Sequence, residues 1–391
     1  MWLLWMVPPA VAQDSDEEAP DTGSYWQEHF SLHGHFALAF GDLESETGQR
    51  TTDEIILGIE EDGSFPYGNA ALTLRYHPAP RHAIVLQVAA RDIGDSPVDD
   101  ETDDIELDWL FYEFTFSDRT RLRLGRHPVA AGIFNQIRDA GILLPFFRPA
   151  YTFYRDGALL SETVDGIAIS HRFRADRPWS VDADAYYGEF ETFQGQRSDA
   201  SLTVEEATDV FGTQLWLNTP IHGLRVGLGA LRWDTSTGVG LPEAEVEDWH
   251  VSLDGEFERF VARAEARIVT VDFGAQNPGL TELDIDLAYV QIGWSATDKL
   301  KFYLQPEVAE VESVGPLFLG GSTKSRNRLD IGFGTVFHLR HNLALKAEYH
   351  EVESEVEVGQ ELTFGPSGPQ VRVLYDTFDS NYYIVGLAAS F

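Results

Sequence analysis

Between residues 126 and 155 the chain carries four arginines, Arg126, Arg138, Arg148 and Arg155, against a single acid, Asp139. Just upstream, Arg121 and Arg123 alternate with Leu122 and Leu124, so in an extended strand both guanidinium groups point to one side. Arginine is always charged and presents a fork of donors that fits carboxylate or phosphate. Lining a water-filled passage, such a group favours anions. Paired with carboxylates of a surrounding wall, the same residues simply brace the segment.

Other clusters offer different chemistry. Residues 92 to 104 hold seven acids and no base, and residues 42 to 65 hold eight acids with only Arg50 among them. Such stretches make a solvated acidic surface, or bind Ca²⁺ or Mg²⁺, which prefer carboxylate oxygens. His29, His33 and His35 share one parity and would chelate a metal if brought together, although a polar stripe explains them equally well. The absence of cysteine removes thiol nucleophiles, thiolate metal sites and disulfides. The glycines of 223–229 and 332–337 alternate along strands and lack the following helix that a phosphate-cradling loop needs. No catalytic motif stands out. A net charge of -36 makes nucleic acid a poor partner, because phosphates reward clustered Lys and Arg.

The elements that must position these residues announce themselves by alternation. In "GLRVGLGALRW", Leu224, Val226, Leu228 and Ala230 oppose Arg225, Gly227 and Gly229; in "FVARAEARIV", Ala262, Ala264, Ala266 and Ile268 oppose Arg263, Glu265 and Arg267. A strand face bearing Arg, Glu and Arg must meet water while its other face meets something apolar. Short turns near 78–82, 117–119, 175–179, 218–223, 258–260, 296–299 and 340–342 alternate with long polar stretches near 42–65, 92–104, 127–160, 190–207, 234–247, 272–283, 312–326 and 353–379. Seven turns and eight loops make fifteen connections and hence sixteen antiparallel strands, with both termini on the short-turn side. This predicts an all-β transmembrane barrel wide enough for an aqueous channel. "IELDWLFYEFTF" (105–116) changes phase midway, which predicts a bulge. The tryptophans Trp109, Trp179, Trp216, Trp249 and Trp294 mostly fall near strand ends, as interfacial girdles require.

At the amino end, an apolar stretch closing on Ala10-Val11-Ala12 reads as a signal peptide over 1–12, followed by an acidic linker over 13–24 and the barrel over 25–391. No run is long and apolar enough for a membrane-spanning helix. At the other end, Tyr383, Val385, Leu387 and Ala389 alternate up to Phe391, so the last strand is expected to keep its apolar face against lipid while it closes the ring.

The chain resembles the trimeric 16-stranded porins of Gram-negative outer membranes over nearly all of 25–391. "LRLGRHPVAAGIFNQIRDAGILLPFFRPAYTFYRDG" (122–157) is similar to a porin's fifth strand leading into a third loop that folds into the barrel and narrows it, and "VDGIAISHRF" (164–173) to the strand that follows. The ending Tyr383, Val385, Leu387, Phe391 resembles the signal read by the barrel assembly machinery. The resemblance implies an outer-membrane homotrimer in contact with lipid that lets small hydrophilic solutes or ions diffuse, with no enzyme activity and no cofactor. That family's acidic cluster on the third loop is not matched here, so Arg121, Arg123, Arg126, Arg138, Arg148 and Arg155 become the expected constriction, with an anion preference. Three other classes fit less of the pattern. They are a receptor or adhesin barrel using its acidic loops, an outer-membrane hydrolase with a Ser or Thr beside a His at the rim, and a soluble β-rich binding protein.

Overall fold

The computed structural model describes residues 29–45, 58–59, 63–92, 105–154, 161–195, 202–236, 244–274, 280–315, 322–365 and 368–391. The expected leader (1–12), linker (13–24) and Arg155 lie outside the described residues, as do most of the acidic stretches 42–65 and 92–104. Sixteen strands follow one another: β1 (Phe30–Ser45), β2 (Ser64–Ala79), β3 (His82–Asp92), β4 (Glu106–Ser117), β5 (Thr120–Pro128), β6 (Thr163–Phe173), β7 (Ser180–Gly195), β8 (Leu202–Asn218), β9 (Leu224–Ser236), β10 (Ala244–Glu256), β11 (Phe260–Asp272), β12 (Glu282–Ser295), β13 (Leu300–Val314), β14 (Ser322–Arg340), β15 (Leu343–Gly365) and β16 (Gly368–Ser390). Each pairs antiparallel with its sequence neighbours, and β16 returns to β1 from His35↔Ser390 to Ser45↔Ser380, closing the barrel. Even the shortest strand, β5 with 9 residues, is long enough to cross a bilayer when tilted.

Closure satisfies every strand edge, which a lipid environment demands. The faces follow from alternation. On β9 and β10, Val226, Leu228, Trp249 and Val251 are exposed on the outside, while Gly227, Gly229, His250 and Ser252 point into the lumen. On β11, Arg263, Glu265 and Arg267 point inward and Ala262, Ala266 and Ile268 outward. Trp179, Trp249 and Trp294 are exposed, whereas Trp216 is buried inside with Arg225 4.0 Å above its ring. The phase change in β4 is a register shift between Gln87 and Val88 opposite Trp109 and Leu107, where the bulge was expected.

One long loop is not a loop. Over 353–379, β15 and β16 stay paired from Leu343↔Ala389 out to Gly365↔Gly368, making a hairpin of two 23-residue strands. In its described outer part Gln360, Glu361, Leu362 and Phe364 are all exposed, so solvent or lipid meets both faces there, while "EVESEVEV" retains the β-branched alternation that favours pairing.

The terminal aromatic completes the seam. The Phe391 N–H donates to the Gly34 carbonyl at 2.9 Å, and the Gly34 N–H donates back at 3.1 Å. The Phe391 ring covers Gly34 so closely that a Cβ there would lie 2.3 Å from its Cζ. Tyr383 and Val385 face outward and Leu387 is half-buried.

Candidate functional site

The third loop, described over 129–154 and 161–162, folds into the barrel and is fastened around the wall. It starts with Gly132, whose φ of +64° suits glycine and whose missing side chain matters, since a Cβ would come within 2.7 Å of both the Tyr154 hydroxyl and Glu265. The Gly132 N–H donates to Gln214 Oε1 of β8 at 3.0 Å. Buried carboxylates of the wall then accept the loop's backbone. Glu265 on β11 takes the Ile133 N–H (3.0 Å) and the Tyr154 hydroxyl, with Ser252 and Tyr289 as further donors. Glu307 on β13 takes the N–H and hydroxyl of Thr152, both at 2.9 Å, and Glu348 on β15 takes the Phe147 N–H at 2.9 Å. Lys346, 2% exposed, does the reverse by donating to the carbonyls of Gly141, Leu144 (2.6 Å) and Phe146 (2.9 Å). Arg267, paired with Asp248, donates to the Phe153 carbonyl at 2.9 Å.

Apolar packing reinforces these polar fasteners. Val129, Ile133, Phe134, Phe153 and Tyr154 bury against Tyr186, Trp216, Leu231, Trp233, Val269, Leu287 and Tyr289. On the opposite side Phe147 and Tyr151 pack with Ala39, Leu43, Val352, Tyr382 and Ile384. The loop's apolar contacts and backbone fastenings thus reach β1 and β7 through β16, while toward β2 and β3 it is held by Asp139 alone.

A cavity of about 280 Å³ lies on that flank, toward the long-loop end. Asp139 of the loop meets Arg91 of β3 at 2.8 Å, and Arg91 also reaches Glu162 (2.7 Å), Asp108 (3.3 Å) and Glu106. Arg138 pairs with Glu162 at 2.5 Å. Among the described residues, Asp108, Asp139 and Glu162 are the only group with metal-ligand spacing, and the Arg91 guanidinium fills the place of a cation between them. Burial, together with Asp139 and Asp108 and against Arg138 and Arg91, pushes the Glu162 carboxyl up to about 8. Against burial, Arg91 holds Asp139 well below the usual carboxylate range. Of the charged residues along its border, Asp92, Asp165, Glu189, Glu191, Glu206 and Arg126 have the outward parity of their strands, leaving Glu106, Asp108, Asp139 and Glu162 with Arg91, Arg138 and Arg148 inside.

Nearer the short turns, arginines gather on the lumenal wall. Arg75 of β2 and Arg123 of β5 share Glu113 at 2.5 and 3.1 Å, and Arg123 lies over Phe111. Arg121 belongs to the same group of charges, and Arg172 of β6 pairs with Asp182. Across the lumen Arg225 and Arg263 share Asp254, at 2.7 and 2.9 Å.

The structure thus brings Arg121 and Arg123 together on the lumenal wall and adds Arg75 and Arg172, which the sequence reading did not single out. Their signal was available, since each is a lone charge at lumenal parity near a short turn. Arg126 shares the parity of Leu122 and Leu124, points out of the barrel and forks onto Asp165 at 2.7 to 3.2 Å. Arg138 is buried within the third loop, donating to Asn135 and to the Tyr154 carbonyl. Arg148 borders the cavity. Of the carboxylates that hold the loop, the alternation marks Glu265 only as lumenal, and nothing local in the sequence distinguishes it, Glu307 or Glu348 from other lumenal acids.

No protein-family model matches the sequence, and no curated protein matches it. Solved structures do match over the whole barrel, covering 93% of this chain in each case. OmpTdeltaL8, a loop L8 deletion mutant of the Vibrio cholerae outer membrane protein OmpT, aligns over 99% of its length with a TM-score of 0.56 at 13% identity. The anion-selective porin of Comamonas acidovorans gives 99%, 0.56 and 11%, and Salmonella typhi OmpF gives 97%, 0.55 and 13%. At such identities the shared property is architecture: by fold, this chain is a 16-stranded barrel of the kind that outer-membrane porins form.

Proposed function

We propose that the chain is a porin of a Gram-negative outer membrane, a passive channel for small hydrophilic solutes or ions that does no enzymatic chemistry. The observation that carries this reading is a closed sixteen-strand barrel with an apolar exterior and charged residues on the lumenal face of many of its strands, narrowed by its own third loop. Sixteen strands enclose more space than wall side chains fill. The similarity to trimeric OmpT of V. cholerae supports a homotrimer. Ions crossing near the short turns pass Arg75, Arg121, Arg123 and Arg172, with Glu113, Asp182 and Asp184 between them, which supports a local preference for anions at that height.

The test is the reversal potential across a planar bilayer in a KCl gradient. At high ionic strength charges at the outer end are screened within about 3 Å, so they contribute little to what the arginine-bearing segment near the short turns selects. The expectation is anion preference in the wild type and a shift toward cations in Arg121→Ala with Arg123→Ala. Absence of conductance removes the channel reading, and an unchanged potential in the double variant removes the arginines' role.

A further inference from the structure

Resting on the channel reading, we infer that Arg91 sets the aperture: solutes cross along the β2–β4 arc of the wall, and the Arg91–Asp139 pair is the bar that they must pass. Around most of the circumference the seam between the third loop and the wall is dry. The lumenal side chains that bond the loop there, Gln214, Glu265, Arg267, Glu307, Lys346 and Glu348, are none of them more than 7% exposed. Between them Tyr186, Phe190, Leu231, Trp233, Val269 and Leu287 are buried with the loop's own apolar residues. At β1 and β16 the approach is closest, since a Cβ on Gly141 would lie 3.0 Å from that of Ala37 and 3.6 Å from that of Ala388.

The β2–β4 arc is closed by other means. Asn69 and Arg91 are neighbours across β2 and β3, and both reach Asp139 of the loop, at 3.4 and 2.8 Å. Arg91 continues to Glu106 and Asp108 of β4 and to Glu162 at the approach to β6. Apart from Asp108 these side chains keep contact with water: Arg91 is 19% exposed, Asp139 14%, Glu162 20% and Glu106 30%. Closure here depends on charged groups that water can reach, and these hold less firmly than buried packing. Behind the bar the wall is small, because Ala71 and Ala89, paired across β2 and β3, follow Asn69 and Arg91 on the lumenal face. Beyond them Thr73 and Gln87 bond each other at 2.5 Å, and Arg75 comes next on β2. The loop backbone is pinned on both sides of Asp139, by Arg138 on Glu162 at 2.5 Å and by Lys346 on the Gly141 carbonyl. Losing the Arg91 side chain therefore opens space while the loop stays where it is.

The experiment is the swelling of proteoliposomes in neutral sugars of increasing size, a monosaccharide, a disaccharide and a trisaccharide, with EDTA present to keep divalent cations out of the vacated place. Neutral solutes report size without reporting charge. For Arg91→Ala and for Asp139→Ala, entry of the disaccharide relative to the monosaccharide should rise severalfold over wild type, and single-channel conductance should rise with it. Arg91→Lys, which keeps a cation beside Asp139 but loses the fork, should fall between. Arg126→Ala removes an arginine that points out of the barrel onto Asp165, and should leave the ratio unchanged. Wild type and variants that all exclude even the monosaccharide and carry no current defeat the channel reading itself. A permeable channel whose size ratio is the same in wild type and in both alanine variants, or rises equally in Arg126→Ala, overturns this inference alone. Asp139→Ala decides the matter if Arg91→Ala does not fold to a heat-modifiable barrel.

Discussion

Arg91 shows how one side chain decides what a cluster of acids can do. Its guanidinium lies within 3.3 Å of Asp108, Asp139 and Glu162, whose nearest oxygens lie within 4.8 Å of one another. Removing it while keeping the shape, as in Arg91→Gln, leaves three carboxylates converging on an empty centre, the donor set that Ca²⁺ prefers. The expected outcome is a melting temperature that rises with millimolar Ca²⁺ in the variant and is indifferent to it in the wild type, measured against a chelator. Equal response of both proteins would show that Arg91 does not occupy a cation's place. None of this was legible beforehand: Asp139 stood out only as a lone acid, and its partners come from β3, β4 and the approach to β6, up to 71 residues apart in sequence.

Strands were the most legible feature, since a period of two fixes both element and face. All seven short connections expected from the sequence lie between the observed strands, because a tight turn needs polar, turn-forming residues whatever surrounds it. The mistaken loop at 353–379 fell where strands continue into water and lose the apolar face that betrays them. On the lipid side, Leu228→Arg or Val251→Arg should destabilise the barrel by about 2 to 4 kcal/mol in denaturant titrations in detergent or lipid. Gly227, although lumenal, is a poor control, because a Cβ there would lie 2.9 Å from Trp216. Asn218→Arg is the better one: it faces inward and lies beside Asp182, so its cost should stay below about 1 kcal/mol. At the seam, deleting Phe391 removes both backbone bonds to Gly34 and uncovers that glycine. It should lower the yield of heat-modifiable barrel without reducing export, as read by fractionation; a normal yield would make the aromatic incidental.

For the whole molecule, the wall alone does not say who its neighbours are. Exposed apolar side chains encircle the barrel, as lipid requires, so a protein contact among them has no separate mark. The proposed trimer should appear as a threefold native mass in mild detergent, collapsing to one chain on heating; a monomer at every detergent concentration tested would exclude it. The third loop's fastening is clearer at this scale, because one segment ties together walls that are distant in sequence. That fastening gives the molecule a chemical clock. The chain has four lysines, and Lys299 is exposed in a short turn while Lys346 is sealed beneath three carbonyls of the loop. An amine-acylating reagent reaches the first at once and the second only during moments when the loop has let go, so the slow acylation of Lys346 counts departures of the loop one molecule at a time.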